Sequence, residues 1–195
     1  MKKFFCLLAL MLSFLSTVCS AAMPDITAGE TRFDIAGGCY VLKNNVRVVA
    51  RGRTMTAQEA KVSITSQKVW AQGDVTLEQD GITFRCDSIY VQGLEKTVDV
   101  LGNVNFDATD LIKITSEIAK FSWSTKIADF YGNVQLNILA EKGLTFDEAV
   151  DPNFDRNQKY DHVQYNVVEK KIMLIENKTS EAPKVDLPEL RIEIE

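Results

Sequence analysis

Three glycine tripeptides set the architecture of this chain. Gly73-Asp74-Val75, Gly102-Asn103-Val104 and Gly132-Asn133-Val134 stand 29 and 30 residues apart. One further step of 29 residues toward the N-terminus reaches Asn44-Asn45-Val46. There Asn, the residue that best tolerates a glycine-like backbone, takes the place of Gly. A chain with an internal period of this length folds as stacked copies of one unit, because no copy can bury its apolar face alone.

The copies agree beyond the tripeptide. Apolar columns run Tyr40, Val69, Val98, Ala128; Leu42, Ala71, Val100, Phe130; Val46, Val75, Val104, Val134; and Val48, Leu77, Phe106, Leu136. Within a copy these residues lie two apart, with polar Lys68, Gln72, Asp99, Asn103 and Gln135 between them, which is the period of a half-buried strand. The second half of each copy carries a three-residue step: Met55-x-Ala57 then Ala60-x-Val62-x-Ile64, Phe84-x-Cys86 then Ile89-x-Val91, Ile114-x-Ser116 then Ala119-x-Phe121-x-Trp123. Such a step reverses the alternation, and a strand keeps its apolar side inward through it only by bending or bulging. Each copy therefore reads as strand, turn, strand, corner, strand. Helix is the rival for Thr56–Glu59, which has capping-box form, and for Ser116–Lys120; the flanking β-branched residues and the period of two favour strand.

Residues 1–22 read as a signal peptide outside the fold. Lys2 and Lys3 supply the positive start, Phe4 to Val18 an apolar core, and Cys19-Ser20-Ala21-Ala22 the small residues of a cleavage site. The core is short of the roughly 20 residues of a permanent span. An uncleaved anchor and lipidation at Cys19 are the alternatives. Cleavage takes two of the 22 basic residues and none of the 27 acidic ones, moving the formal charge from −5 to −7. That balance argues against nucleic acid, which is bound through clustered Lys and Arg. The densest basic cluster, Arg47, Arg51 and Arg53, flanks a turn at Gly52, and a solvated turn is its reading ahead of an anion contact.

Export leaves Cys39 and Cys86. A disulfide between them is open, with two half-buried free thiols the preferred reading. No metal is expected, since His162, the single histidine, has no Cys-x-x-Cys or second His near it. No cofactor is expected either.

The mature chain reads as one β domain over residues 23–176. Leu144-Thr145-Phe146 begins a strand like the others, and 147–159, with Asp151-Pro152-Asn153, reads as an inserted loop. The pattern resumes at Tyr160–Tyr165 and closes with Lys171–Ile175. Residues 177–195 form a polar tail in which Leu187–Glu195 alternates again, as a docking strand would. Stacking the copies makes the apolar columns a continuous interior. If its walls part, the groove is lined by Leu42, Val46, Val75, Val100, Val104, Phe106, Phe121, Trp123, Phe130 and Val134. Carboxylates such as Asp74 and Asp99 fall at turns or outward strand positions and read as solvated acids, so no enzyme is expected.

The repeated Gly-Asn-Val or Gly-Asp-Val after an apolar strand, followed by an Ala-rich corner as in Thr56-Ala57-Gln58-Glu59-Ala60-Lys61-Val62, resembles the LptA/OstA family of periplasmic lipopolysaccharide-transport proteins. Phe33-Asp34 and the run Tyr40–Val48 resemble that family's opening strand. The resemblance covers roughly residues 30 to 176, and departs from the family at Asn44 and at the insertion. It implies an all-β fold, an open β-jellyroll of stacked, twisted antiparallel sheets. It also implies a periplasmic carrier, not a catalyst, which buries the acyl chains of lipopolysaccharide and passes them from the inner-membrane transporter toward the outer membrane. Partners would be other Lpt-type jellyrolls joined by edge-strand addition, with head-to-tail self-assembly open. Chain burial at about 0.8 kcal/mol per CH₂ would drive binding, an anionic protein gaining little from the lipid's phosphates. Two alternatives stand: an LptC-like component anchored in the inner membrane, and a structural or adhesive exported repeat protein with a closed core.

Overall fold

A computed structural model of the chain describes residues 24–108, 111–147 and 158–175. The expected signal peptide at 1–22, the centre of the expected insertion and the expected tail at 177–195 lie outside the described residues.

The described residues contain strands and turns and no helix. Seven long strands carry the structure: β3 (Cys39–Ala50), β4 (Arg53–Ser63), β5 (Lys68–Gln79), β6 (Ile82–Gln92), β7 (Thr97–Ala108), β8 (Ile112–Ser122) and β9 (Ile127–Ile138). Each pairs antiparallel with the next in sequence. β11 (Tyr160–Asn166) and β12 (Lys171–Leu174) continue the sheet beyond β9. At the other edge β1 (Asp25–Thr27) and β2 (Glu30–Asp34) pair with opposite halves of β3.

Every long pairing breaks register near its middle, where the repeats place their two signals. Gly73-Asp74, Gly102-Asn103 and Gly132-Asn133 all have positive φ, as do Asn44 and Asn45. Where β3 meets β4, β5 meets β6 and β7 meets β8, two such residues oppose one on the partner strand: Lys43 pairs with Glu59 and Val46 with Ala57, for instance. That two-against-one count is a β-bulge, which bends the strand and raises its twist. The irregularity expected at each three-residue step is therefore present, with the extra residue on the glycine strand opposite and a single residue on the stepped strand.

The expected turn at each glycine is corrected. Gly102-Asn103 is a corner inside the unbroken strand β7, and the chain reverses instead at Arg51-Gly52, at Asp80-Gly81 and in four-residue turns such as 93–96. A repeat is thus two long bent strands. Two consecutive left-handed residues rotate the strand without reversing it, because the ladder resumes on the same partner three residues later.

The corners fold the sheet over on itself. Phe84 on β6 lies three strands from Phe130 on β9, a separation of about 14 Å in a flat sheet, yet their ring centroids are 6.4 Å apart. One wall is built from the strand halves before the corner in β3, β5, β7 and β9 and after it in β4, β6 and β8. The other wall takes the remaining halves. The inward columns of both walls form one hydrophobic core from Leu42 to Ile172.

Leu144–Phe146 departs from its expectation. β10 (Thr145–Phe146) is two residues long and lies parallel to β12 at the outer edge. It is held by Asp147 N–H to the Ile172 carbonyl at 3.0 Å and by a Lys171–Asp147 ion pair at 3.3 Å.

Candidate lipid-binding site

All ten residues expected to line a groove are buried in the one core, from Leu42 and Phe106 at 0% exposure to Trp123 at 7%. The fold brings them together, but over much of the interior the walls touch. Phe106 stands 4.8 Å from Phe84, 5.3 Å from Phe130 and 5.7 Å from Tyr165, ring centroid to centroid. Phe84 also meets Phe121 at 6.1 Å. These five rings come from both walls and fill the space between them.

Nearer the N-terminal edge the walls part. A cavity of about 380 Å³ opens there between Val48, Met55 and Leu77 of one wall and Val62, Val69 and Val91 of the other. Of the ten expected residues only Trp123 lines it. The facing positions explain the opening. Where the filled region has Phe106, Phe121 and Phe130, the layers around the cavity carry Val62 and Val69, with Ala60 and Ala71 behind them. Smaller side chains leave the walls without contact across the gap.

Trp123 closes the cavity on the side of the filled core. It follows the end of β8, four strands from β4, but the Arg53 guanidinium lies 4.2 Å from its ring centroid. Its indole N–H donates to Gln79 Oε1 at 2.6 Å, and Arg53 Nε donates to the same oxygen at 2.7 Å. One amide oxygen thus ties a turn of one wall to the strand ends of the other. Arg53 is half-buried, and burial together with neighbouring Arg51 lowers its pKa from the ordinary arginine value. The solvated turn expected around Gly52 holds for exposed Arg51 but not for Arg53. Gln79 is a site residue that sequence reasoning missed, and Arg53 reads there as part of a solvated turn ahead of an anion contact; Val48, Met55, Val69 and Leu77 are visible there as apolar positions without sign of an opening.

The remaining candidates lie outside the cavity. Asp74 is exposed at a corner. Asp99, expected to be solvated, is buried on the outer face 3.7 Å from Lys120, and burial raises its pKa against the pull of that lysine. Cys39 and Cys86 are buried free thiols. His162 Nε2 lies 3.0 Å from Asp129 Oδ1, and its ring stacks on Tyr131. Among the described residues no cluster of three or more His, Cys, Asp or Glu is arranged to hold a metal ion, and no helix is long and apolar enough to cross a membrane.

A family model described as OstA-like protein matches residues 43–178, about 70% of the chain. The chain belongs to the OstA-like family. Its fold is also that of LptH, the LptA-homologous periplasmic component of the lipopolysaccharide transport device of Pseudomonas aeruginosa. The two structures superpose with a TM-score of 0.56 over 60% of this OstA-like chain and 96% of LptH, at 12% identity. No curated protein matches the sequence.

Proposed function

We propose that this OstA-like protein is a non-enzymatic periplasmic carrier of the Lpt type. It buries acyl chains of lipopolysaccharide between its walls and hands them from the inner-membrane transporter toward the outer membrane. The observation that carries the reading is the apolar cavity between Val62, Val69 and Val91 and Val48, Met55 and Leu77. Family membership and the LptH-like fold support the transport role. Export through a cleaved signal at residues 1–22 belongs to the same reading, as does docking to other jellyrolls through the sheet edges.

The cavity has the size of a site for one small molecule, at the lower end of the roughly 300–1,000 Å³ usual for such pockets. A glycolipid with several chains would therefore insert part of its apolar region at a time. In this conformation Trp123 meets lipid first among the ten predicted lining residues, and the other nine form the closed continuation of the interior.

The test is retention of intact against chemically deacylated lipopolysaccharide by the tagged, purified protein. Intact glycolipid is retained and the deacylated form is not, because chain burial at about 0.8 kcal/mol per CH₂ supplies the affinity. Equal retention of both would exclude the acyl chains as the source of binding.

A further inference from the structure

The lining of the cavity is mostly apolar, with Ser63 and Gln67 as neutral polar residues, and its charge is of one sign. Arg51 and Arg53 line it, and no Asp or Glu does. This holds in a chain with 27 acidic and 22 basic residues. The overall anionic balance, which argues against any gain from lipid phosphates, does not describe this rim.

Both arginines are placed by local structure. Arg51 sits in the tight turn between β3 and β4, with φ of 52°. Arg53 opens β4 two residues later, so both side chains start at the same lip of the wall. Arg53 uses Nε toward Gln79 and its guanidinium face toward Trp123. That leaves its Nη groups for a ligand, since a guanidinium has five N–H donors in a planar fork. Burial and the charge of Arg51 outweigh the pull of Asp80 in the neighbouring turn. An anion delivered between the two guanidiniums gains charge-assisted, bidentate hydrogen bonds beside an apolar surface, where such bonds are strongest.

We propose that Arg51 and Arg53 are the head-group subsite of this cavity, which takes an anionic amphiphile with its chain among Val48, Met55, Val62, Val69, Leu77 and Val91 and its phosphate or carboxylate on the two guanidiniums. The inference rests on the carrier reading and adds to it the residues that hold the anionic group of the molecule carried.

The experiment is calorimetric titration of the purified protein with dodecyl phosphate, dodecanoate, dodecyl maltoside and inorganic phosphate, each amphiphile below its micelle concentration. The two anionic amphiphiles bind about tenfold tighter than the neutral one of equal chain length, as expected for a charge-assisted pair. Inorganic phosphate alone does not bind in the same range. Arg53→Gln abolishes the anionic preference, read as the ratio of anionic to neutral affinity within the variant, while Arg53→Lys, which retains the charge, keeps part of the preference and its sensitivity to salt. The lysine variant also decides the matter if the glutamine variant does not fold. Equal affinity for anionic and neutral amphiphiles, or a preference surviving both Arg53→Gln and Arg51→Gln, overturns the subsite and leaves the carrier reading standing. Inorganic phosphate binding as tightly as dodecyl phosphate overturns it in favour of a free-anion site. No binding by any amphiphile overturns the subsite and the carrier reading together.

Discussion

Phe106 and Phe130 face each other with ring centroids 5.3 Å apart, one from the wall after a corner and the other from the wall before one. Their contact marks where the interior stops being a groove and becomes a core. Both rings are fully buried. Phe106→Ala removes a ring that touches three other aromatics, and an expected cost of about 3–5 kcal/mol follows from lost transfer energy plus the cavity left behind. Urea unfolding checks it; a loss below about 1 kcal/mol, far under the usual range for such a truncation, would mean the rings do not bear on one another as described.

Gly102 at a corner and Gly52 at a hairpin turn differ in what surrounds them. Gly102 has φ of +71°, and a Cβ there would overlap Asp87 Oδ2 and stand 2.9 Å from Asp87 Cβ. Gly52 has a similar φ of +74°, but nothing lies within 4 Å of its Cβ position. Gly52→Ala therefore carries only the left-handed backbone cost of about 1–2 kcal/mol. Gly102→Ala carries that cost and must also displace Asp87, which accepts a hydrogen bond from Asn103 Nδ2 at 2.9 Å. The expected order of stability is wild type, then Gly52→Ala, then Gly102→Ala, by thermal or urea unfolding.

Trp123 should separate its hydrogen bond from its bulk. Trp123→Phe keeps an aromatic ring and loses the indole donor to Gln79, for an expected loss of about 1 kcal/mol. Trp123→Ala also removes the ring over which Arg53 lies, and the loss rises to about 3 kcal/mol. Near-equal effects of the two substitutions in urea titrations would show that the ring adds nothing beyond its N–H.

Burial pushes the Cys86 thiol up to about 12 from the ordinary 9.0, with Asp87 adding to the shift. Burial raises Cys39 as well. A folded pKa above the unfolded one means that stability from this group is fully present below the unfolded pKa. It is lost as the pH climbs from about 9 toward 12, where only the unfolded chain releases the proton. Native protein at pH 8 should resist alkylation at Cys86 and react within minutes in urea, read by mass spectrometry. Rapid native labelling would contradict the burial of the thiol.

The strands are legible in the repeat period alone, and the three-residue steps place the bulges. The role of Gly102-Asn103 is not legible there, because two left-handed residues serve a hairpin turn and a mid-strand bulge equally well. Only the register of both flanking halves on the same partner separates the two. The interior divides in the same way. Val62, Val69 and Leu77 alternate as Phe121 and Phe130 do, so periodicity assigns all of them inward without saying which touch. The available signal is side-chain size along a column: Leu42, Ala71, Val100, Phe130 ends in an aromatic, and the walls close toward that end. Gln79 carries no signal and Arg53 only that of a basic cluster at a turn, since their meeting with Trp123 depends on a fold across four strands.

The most direct test is site-specific photo-crosslinking in cells, with the probe placed in turn at Met55 and Leu77 in the cavity, at Phe106 in the filled core and at outward Asn103. Lipopolysaccharide adducts are expected at Met55 and Leu77, and none at Phe106 or Asn103. Adducts at Phe106 as strong as those at Met55 would contradict the closed core, and no adducts at any position in an exported, folded protein would contradict the carrier itself.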